Sequence, residues 1–264
     1  MGIQKVRTVA LTVILGLAGV LATGGLVWAE ALTIGAAPSL KPAFQEIVPM
    51  FQKEYGASVD VVYGPSQVIR RQIEKGDPID VFLSASVDEV EKLRKKGLTL
   101  SETRIYAQTS LVLVMSTASV ATAISFHDQS PNRRVRIALG DPKTSALGQI
   151  TARVLGTMNP AYRPSSNLLY GDHSDDVLSL VETGKADAGI VFRVDAIGNG
   201  HMRIVDEIPP GRHTPIQFGE AVVSTCREAS RGAAQEFLQF MASPRIQKLL
   251  LKYGFEAASS DDRS

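Results

Sequence analysis

The sequence is poor in the residues that mark several classes of protein. Its 264 residues include one cysteine, Cys226, so neither a disulfide framework nor a cysteine-based metal site can form within the chain. Basic and acidic side chains nearly balance, 28 against 27, and no basic stripe of the kind that binds nucleic-acid phosphates is present. The four histidines lack the paired spacing of a metal site. We therefore expect no nucleic-acid partner and no cofactor, while a hydrophobic content of 44% is that of a protein with a substantial core.

The one long apolar run lies at the N-terminus. Lys5 and Arg7 precede an apolar stretch at 9–27, and Val27 and Ala29 stand at the −3 and −1 positions of a cleavage site. This order is typical of a secretory signal peptide, here 1–29, whose removal after Ala29 would leave the mature chain in a bacterial periplasm. The alternative is an uncleaved membrane anchor, because the run is near the length of a spanning helix. Four glycines in the run favour cleavage, and no cysteine follows it to receive a lipid.

The rest of the chain repeats one order of elements, a short apolar strand, a tight turn and an amphipathic helix. The first unit passes through Ala37-Pro38-Ser39 into a helix that ends at Gly56, and the second passes through Gly64-Pro65-Ser66 into a helix that ends at Gly76. The same order returns twice, around Ser145 and Ser174. Further strands are predicted at 79–84, 111–116, 188–192 and 221–225. Strands that alternate with helices predict an α/β fold of mostly parallel sheets flanked by helices.

We expect this chain to form two lobes with a cleft between them. Lobe 1 is predicted to comprise 30–108 plus 219–264, and lobe 2 to comprise 109–218. The chain would cross between the lobes near 106–110 and again near 217–220. Such an arrangement lets the strand-to-helix turns of both lobes face each other across the cleft.

Four of these turns carry a serine where a helix begins, and they could together bind an anion. Each turn presents unpaired backbone N–H groups at the positive end of a helix dipole, beside a hydroxyl. Enough such donors can enclose a tetrahedral oxyanion without any cationic side chain. A cage of donors alone favours a fully deprotonated dianion over an anion that keeps a proton. The alternative role for each serine is a simple N-cap; the four are Ser39, Ser66, Ser145 and Ser174.

Two stretches of the sequence resemble the signatures of a known family. They are Ala36-Ala37-Pro38-Ser39-Leu40 and the run from Gly64-Pro65-Ser66 through Gly76-Asp77-Pro78-Ile79-Asp80 to Ser84-Ala85. The sequence is similar there to the periplasmic molybdate-binding proteins of ABC transporters, and the similarity covers nearly the whole mature chain. The resemblance implies a two-lobed type II periplasmic binding protein. It also implies a monomer that binds molybdate, and tungstate as well, and delivers it to a membrane permease.

The resemblance also assigns ligand contacts residue by residue. Ser39 and Ser66 would contribute hydroxyls, Leu147 a backbone N–H, and Ser174 a donor at the start of a later helix. Phe192 stands where the family has a tyrosine that offers its hydroxyl, so one donor is missing. These groups would contact the oxygens of the anion, and molybdenum itself would have no protein ligand. Candidate replacements for the missing hydroxyl are Ser174, which we rank first, Ser145, Tyr170, His173 and Arg193.

Two alternative functions remain at this point. The first is a receptor for another small oxyanion on the same frame, sulfate or tungstate in preference to molybdate. The second is a secreted serine hydrolase, because Gly64-Pro65-Ser66-Gln67-Val68 follows a strand and opens a helix as a nucleophile elbow does. Val68 occupies the place of the second glycine of that motif, and no local pattern identifies a histidine base. We therefore expect that the protein is not an enzyme.

Overall fold

The computed structural model describes residues 31–120, 125–126, 135–158, 167–208 and 215–258. The predicted signal peptide at 1–29 lies outside the described residues, and so do His127 and His213. Within the described ranges, no helix combines the length and the apolar character that a membrane crossing requires.

The first of two sheets has the strand order β2-β1-β3-β10-β4. Strands β1 and β2 pair in parallel with Leu32 opposite Val59, and β1 and β3 pair in parallel with Ile34 opposite Val81. Helices α1, α2, α3, α7 and α8 follow or flank these strands. The bounds are β1 Leu32–Ala36, α1 Lys41–Tyr55, β2 Val59–Tyr63, α2 Ser66–Lys75, β3 Val81–Ser84, α3 Val87–Lys95, β4 Arg104–Thr109, β10 Ile216–Val222, α7 Arg231–Ala242 and α8 Pro244–Lys252.

The second sheet has the strand order β7-β6-β8-β5-β9. Strands β6, β7 and β8 run parallel, with Ile137 opposite both Leu168 and Ala188. The bounds are β5 Leu111–Ser116, β6 Ile137–Gly140, α4 Ala146–Met158, β7 Leu168–Gly171, α5 Ser174–Glu182, β8 Ala188–Phe192, α6 Arg193–Ala196 and β9 Met202–Glu207.

Both sheets are mixed, with one strand in each that runs against the other four, so most strands in each sheet share one direction as expected. Strand β10 is antiparallel to β3 and β4, and β5 is antiparallel to β8 and β9. A parallel neighbour needs a crossover connection that returns the chain to the same edge of its sheet. Strand β5 instead follows β4 from the first sheet with Ser110 as the only intervening residue, and β10 re-enters the first sheet after β9 of the second.

The chain passes between the sheets close to the predicted crossings, with a shift at each. Thr109 still belongs to β4 of the first sheet, so the first passage lies at Ser110. Residues 217–220 are not a crossing as predicted, because β10 is paired with β4 from Ile216 onward. The division into two lobes stays a prediction, and the strand pairing moves its second boundary from 219 to the start of β10.

The elements form where apolar side chains can be buried against the sheets. In α1 the buried residues Ala43, Phe44, Ile47 and Phe51 recur at helical spacing, and the helix ends at Gly56 in the left-handed region, with φ of 68°. Strand β8 is buried along its whole length, as expected for a strand covered on both faces. This packing fixes the ends of the strands, and it is at those ends that the candidate site lies.

Candidate functional site

The predicted site residues all lie at the end of a parallel strand or in the turn or helix that follows it. Ser39 follows β1, Ser66 follows β2, Ser174 follows β7, and Leu147 is the second residue of α4, which follows β6. Phe192 is the last residue of β8. Because parallel strands end at one edge of their sheet, each sheet gathers its turns at a single edge.

Three contacts join the turns of the first sheet to those of the second. The short 3₁₀ turn Pro38–Leu40, which carries Ser39, lies against α5. Ser39 of the first-sheet half and Ser174 of the second both lie close enough to the carboxyl group of Asp195 in α6 to lower its pKa. Gln67 Nε2, next to Ser66, donates to the carbonyl oxygen of Ser145 at 3.3 Å. The structure therefore brings turns of the first sheet into contact with turns of the second, and Ser66, Ser145 and Ser174 are buried.

The alternative role of these serines as N-caps is wrong for three of the four. Ser66 and Ser174 are the first residues inside α2 and α5, where the N-caps are Pro65 and His173 without a side-chain capping bond. Ser39 lies inside the 3₁₀ turn, again without a capping bond. Only Ser145 caps a helix, because its Oγ accepts a hydrogen bond from Gly148 N at 3.4 Å. The other three hydroxyls are therefore not used by the first turn of their own helices.

Ser66 has the best-defined hydroxyl of the site. It is 2% exposed, and its Oγ accepts a hydrogen bond from the N–H of Ala85 at 3.0 Å. This bond holds the Ser66 oxygen in place from the residue that directly follows β3. Because a hydroxyl that accepts one bond still has a proton to donate, Ser66 can give a hydrogen bond to an anion in the cleft.

Leu147 is positioned by a tight contact between α4 and the end of β6. A Cβ atom on Gly148 would lie 2.4 Å from the carbonyl oxygen of Gly140, so only glycine allows the helix to begin this close to the strand. The N–H of Leu147 is in the first turn of α4, where amides have no acceptor within the helix. The buried start of α4 thus presents a backbone donor at the edge where the turns meet.

Phe192 is a core residue at the end of β8. It is 2% exposed, and its ring meets that of Phe218 in an edge-to-face contact with centroids 5.4 Å apart. Phe218 belongs to β10 of the first sheet, so this pair is a direct apolar contact between the two halves of the molecule. The phenyl ring offers no hydrogen bond to a ligand.

Of the candidate replacements for the missing hydroxyl, Ser174 has the position best suited to the role. It is buried and contacts Asp195 together with Ser39. Ser145 Oγ accepts a hydrogen bond from Gly148 N at 3.4 Å and keeps its proton to donate, and Tyr170 is 48% exposed in β7. Arg193 faces Glu207, with Nε 3.6 Å from Oε1. His173 Nδ1 lies 3.7 Å from the carboxylate of Asp176.

Asp195 is the site residue that sequence reasoning missed. Its Oδ2 atom is buried and has no hydrogen-bond partner in the described part of the chain. Burial raises the pKa of Asp195 to about 6, and the nearby Ser174 and Ser39 act in the opposite direction. A carboxyl group therefore lies beside two of the predicted donors, and the site built from donors alone stays a prediction. A signal was present: Asp195 follows the buried strand β8 at the same edge as the serines.

The described residues contain no group of three or more histidine, cysteine, aspartate and glutamate side chains that could hold a metal ion. The chemistry that this arrangement can perform is binding, through hydroxyls and backbone amides at several helix starts. Two α/β halves, each with helices on its own sheet, that are in contact at the starts of their helices are the architecture of a solute-binding protein with the type II periplasmic binding fold.

Comparison with known proteins supports this class. The chain belongs to the family of bacterial extracellular solute-binding proteins, whose model matches residues 32–256. It is 31% identical over 228 residues to a putative ABC transporter substrate-binding lipoprotein of Bacillus subtilis, with 86% of each chain covered. It is 28% identical over 229 residues to the molybdate-binding protein ModA of Escherichia coli, with 85% of this chain and 88% of that protein covered.

The solved structures confirm the expected fold. The substrate-binding domain of a putative molybdenum ABC transporter from Clostridium difficile superposes with a TM-score of 0.66 at 27% identity. The match covers 87% of this chain and 99% of that domain. The resemblance stated from the sequence is therefore confirmed at the level of family and fold.

Proposed function

We propose that this protein is the extracytoplasmic substrate-binding component of an ABC importer and that it binds molybdate, and tungstate as well, between its two halves. The observation that supports the proposal is the contact of the turn carrying Ser39 with α5, which begins at Ser174, together with the hydrogen bond from Gln67, next to Ser66, to Ser145 before α4. Relatives named as molybdate-binding proteins over nearly their full lengths support it.

The affinity would come from neutral donors at several helix starts. A hydrogen bond to a charged acceptor contributes about 1.5–3 kcal/mol, so roughly seven donors exceed the ~8 kcal/mol of a micromolar complex before desolvation is subtracted. Ser39, Ser66 and Ser174 would supply hydroxyls, and Leu147 would supply an amide. Phe192 would close the apolar base of the site against Phe218 without giving a donor. All contacts would be to ligand oxygens, and the ligand would be cargo rather than a cofactor.

The remaining assignments follow from this role. The protein would be a monomer located in the periplasm after cleavage at Ala29, and its partner would be the membrane permease of the transporter. The two predicted lobes would close on each other. Lobe 1 would comprise 30–108 plus 219–264, extended to include all of β10. Lobe 2 would comprise 109–218 without the residues of β10. We infer no catalysis: the hydrogen bond at Ser66 Oγ comes from Ala85 N–H, and no histidine in the described ranges is hydrogen-bonded to it.

Calorimetric titration of the purified mature chain against molybdate, tungstate, sulfate and hydrogen phosphate tests the proposal. We expect micromolar or tighter binding of molybdate and tungstate with one site per chain, and no saturable heat with hydrogen phosphate. Preference for sulfate would mean that the protein is a receptor for a different oxyanion. No binding of any of the four at millimolar concentration would overturn the proposal, as would labelling of Ser66 by a serine-directed fluorophosphonate.

A further inference from the structure

Asp195 is a carboxyl group beside two of the predicted donors. Ser39, next to α1, and Ser174, at the start of α5, are close enough to its carboxyl group to lower its pKa. Its second oxygen, Oδ2, is buried without a partner among the described residues. Neither the family match nor the resemblance in the sequence gives a role to this residue.

An ionised Asp195 conflicts with the binding of a dianion at the same serines. Two like charges a few ångströms apart repel each other strongly in a site that excludes water. In addition, each hydroxyl has one proton, so Ser39 and Ser174 can donate either to Asp195 or to the ligand. A neutral carboxyl group removes both problems, because it carries no charge and has a proton of its own to donate.

Resting on the proposed function, we infer that Asp195 is a further ligand-binding residue that takes up one proton from solvent when a dianion binds. The proton is added to the carboxylate, which becomes a carboxylic acid. Asp195 then changes from an acceptor of the serine hydroxyls to a donor, and the two serines turn their protons to the anion. No bond of the ligand is made or broken.

The groups around Asp195 are compatible with this step. Asp175 on α5 is exposed, and its charge raises the pKa of Asp195, after burial, which is the larger cause. Burial raises the pKa of Tyr106 on β4 well above its ordinary value, so this phenol stays neutral. Glu220 on β10, the other acid that faces Tyr106, has a pKa raised by burial to about 8 and is protonated at neutral pH. Arg193, on the same helix as Asp195, faces Glu207.

Proton uptake can be measured directly. Molybdate is titrated calorimetrically into the wild-type chain in two buffers of different ionisation enthalpy, at about pH 7 and about pH 8. We expect uptake of about one proton per molybdate, and an affinity that falls roughly tenfold per pH unit between these values. The variant Asp195→Asn keeps the shape and supplies an amide donor, so it should bind molybdate with no proton uptake and with a pH-independent affinity.

A matched control removes a charge elsewhere on the same half. Asp172→Asn, in the exposed connection before α5, should retain the proton uptake of the wild type. Molybdate binding to the wild type without proton uptake, or uptake that persists in Asp195→Asn, would overturn the inference and leave the proposed function intact. Absence of molybdate, tungstate and sulfate binding to the wild type at both pH values would overturn the proposed function and this inference with it. Circular dichroism of Asp195→Asn is recorded alongside the titration and should show the secondary structure of the wild type.

Discussion

Replacing Ser66 by alanine separates a ligand contact from a structural hydrogen bond. Ser66 is buried, and its Oγ accepts from Ala85 N at 3.0 Å while its proton is available to an anion. Loss of one donor to a charged ligand costs about 1.5–3 kcal/mol, so molybdate binding should weaken roughly 10- to 150-fold. The N–H of Ala85 also loses its acceptor, which costs about 1–3 kcal/mol of the free energy of unfolding. For a chain of this size, each kcal/mol lowers the melting temperature by about 2–4 °C.

Ser84→Ala is the matched control for this variant. Ser84 is fully buried at the end of β3, and its hydroxyl donates to Ser86 O at 2.7 Å and accepts from Ser86 N at 3.0 Å. Its loss should lower the melting temperature to a similar degree without changing the affinity for molybdate. Calorimetric titration gives the affinity, and differential scanning calorimetry of the unliganded proteins gives the stability. Equal affinity of Ser66→Ala and wild type, or an equal loss of affinity in Ser84→Ala, would refute the role given to Ser66.

Three further predictions follow from other contacts. Phe192→Tyr restores the hydroxyl of the related proteins and should raise the affinity for molybdate about fivefold, which corresponds to ~1 kcal/mol; a lower melting temperature at unchanged affinity would show that this ring lies outside the site. Arg153→Ala breaks an exposed ion pair between α4 and α3, in which Nη2 lies 2.6 Å from Asp88 Oδ2. This variant should change the affinity for molybdate by less than about fivefold, and the difference from the wild type should vanish in high salt, since exposed pairs contribute at most ~1 kcal/mol. Burial raises the pKa of Glu220 from 4.5 to about 8, so between these values the folded state binds more protons than the unfolded state and stability falls as pH rises. Glu220→Gln should remove this loss, up to roughly 4 kcal/mol at pH 8, as measured by urea unfolding at several pH values; an unchanged pH profile would contradict it.

Much of the architecture could be predicted because its strands are apolar and its helices are amphipathic. Strands β5 and β8 were predicted with their observed bounds, and helices α1 and α2 end as predicted, directly before Gly56 and Gly76. Strands β4 and β9 were missed. Their sequences mix charged and apolar residues, as expected for strands at the sheet edges, and the chain alone does not reveal the partner against which they pair.

The candidate site was predictable only in part. Ser39 and Ser66 could be identified because each follows a strand and precedes a helix, and the structure adds that neither caps its helix. Asp195 follows the buried strand β8, but periodicity alone does not show that it comes to lie beside Ser39, which is far away in the sequence. The contact of Phe192 with Phe218 depends likewise on how β8 and β10 meet across the two halves.

A crystal structure of the protein with tungstate, with the heavy atom located by its anomalous signal, tests the central claim most directly. We expect one anomalous peak between the halves of the molecule, with oxygens of the anion within about 2.7–3.0 Å of Ser39 Oγ, Ser66 Oγ and the N–H of Leu147. A peak held instead by lysine or arginine side chains, or a tungstate remote from both serines, would contradict it.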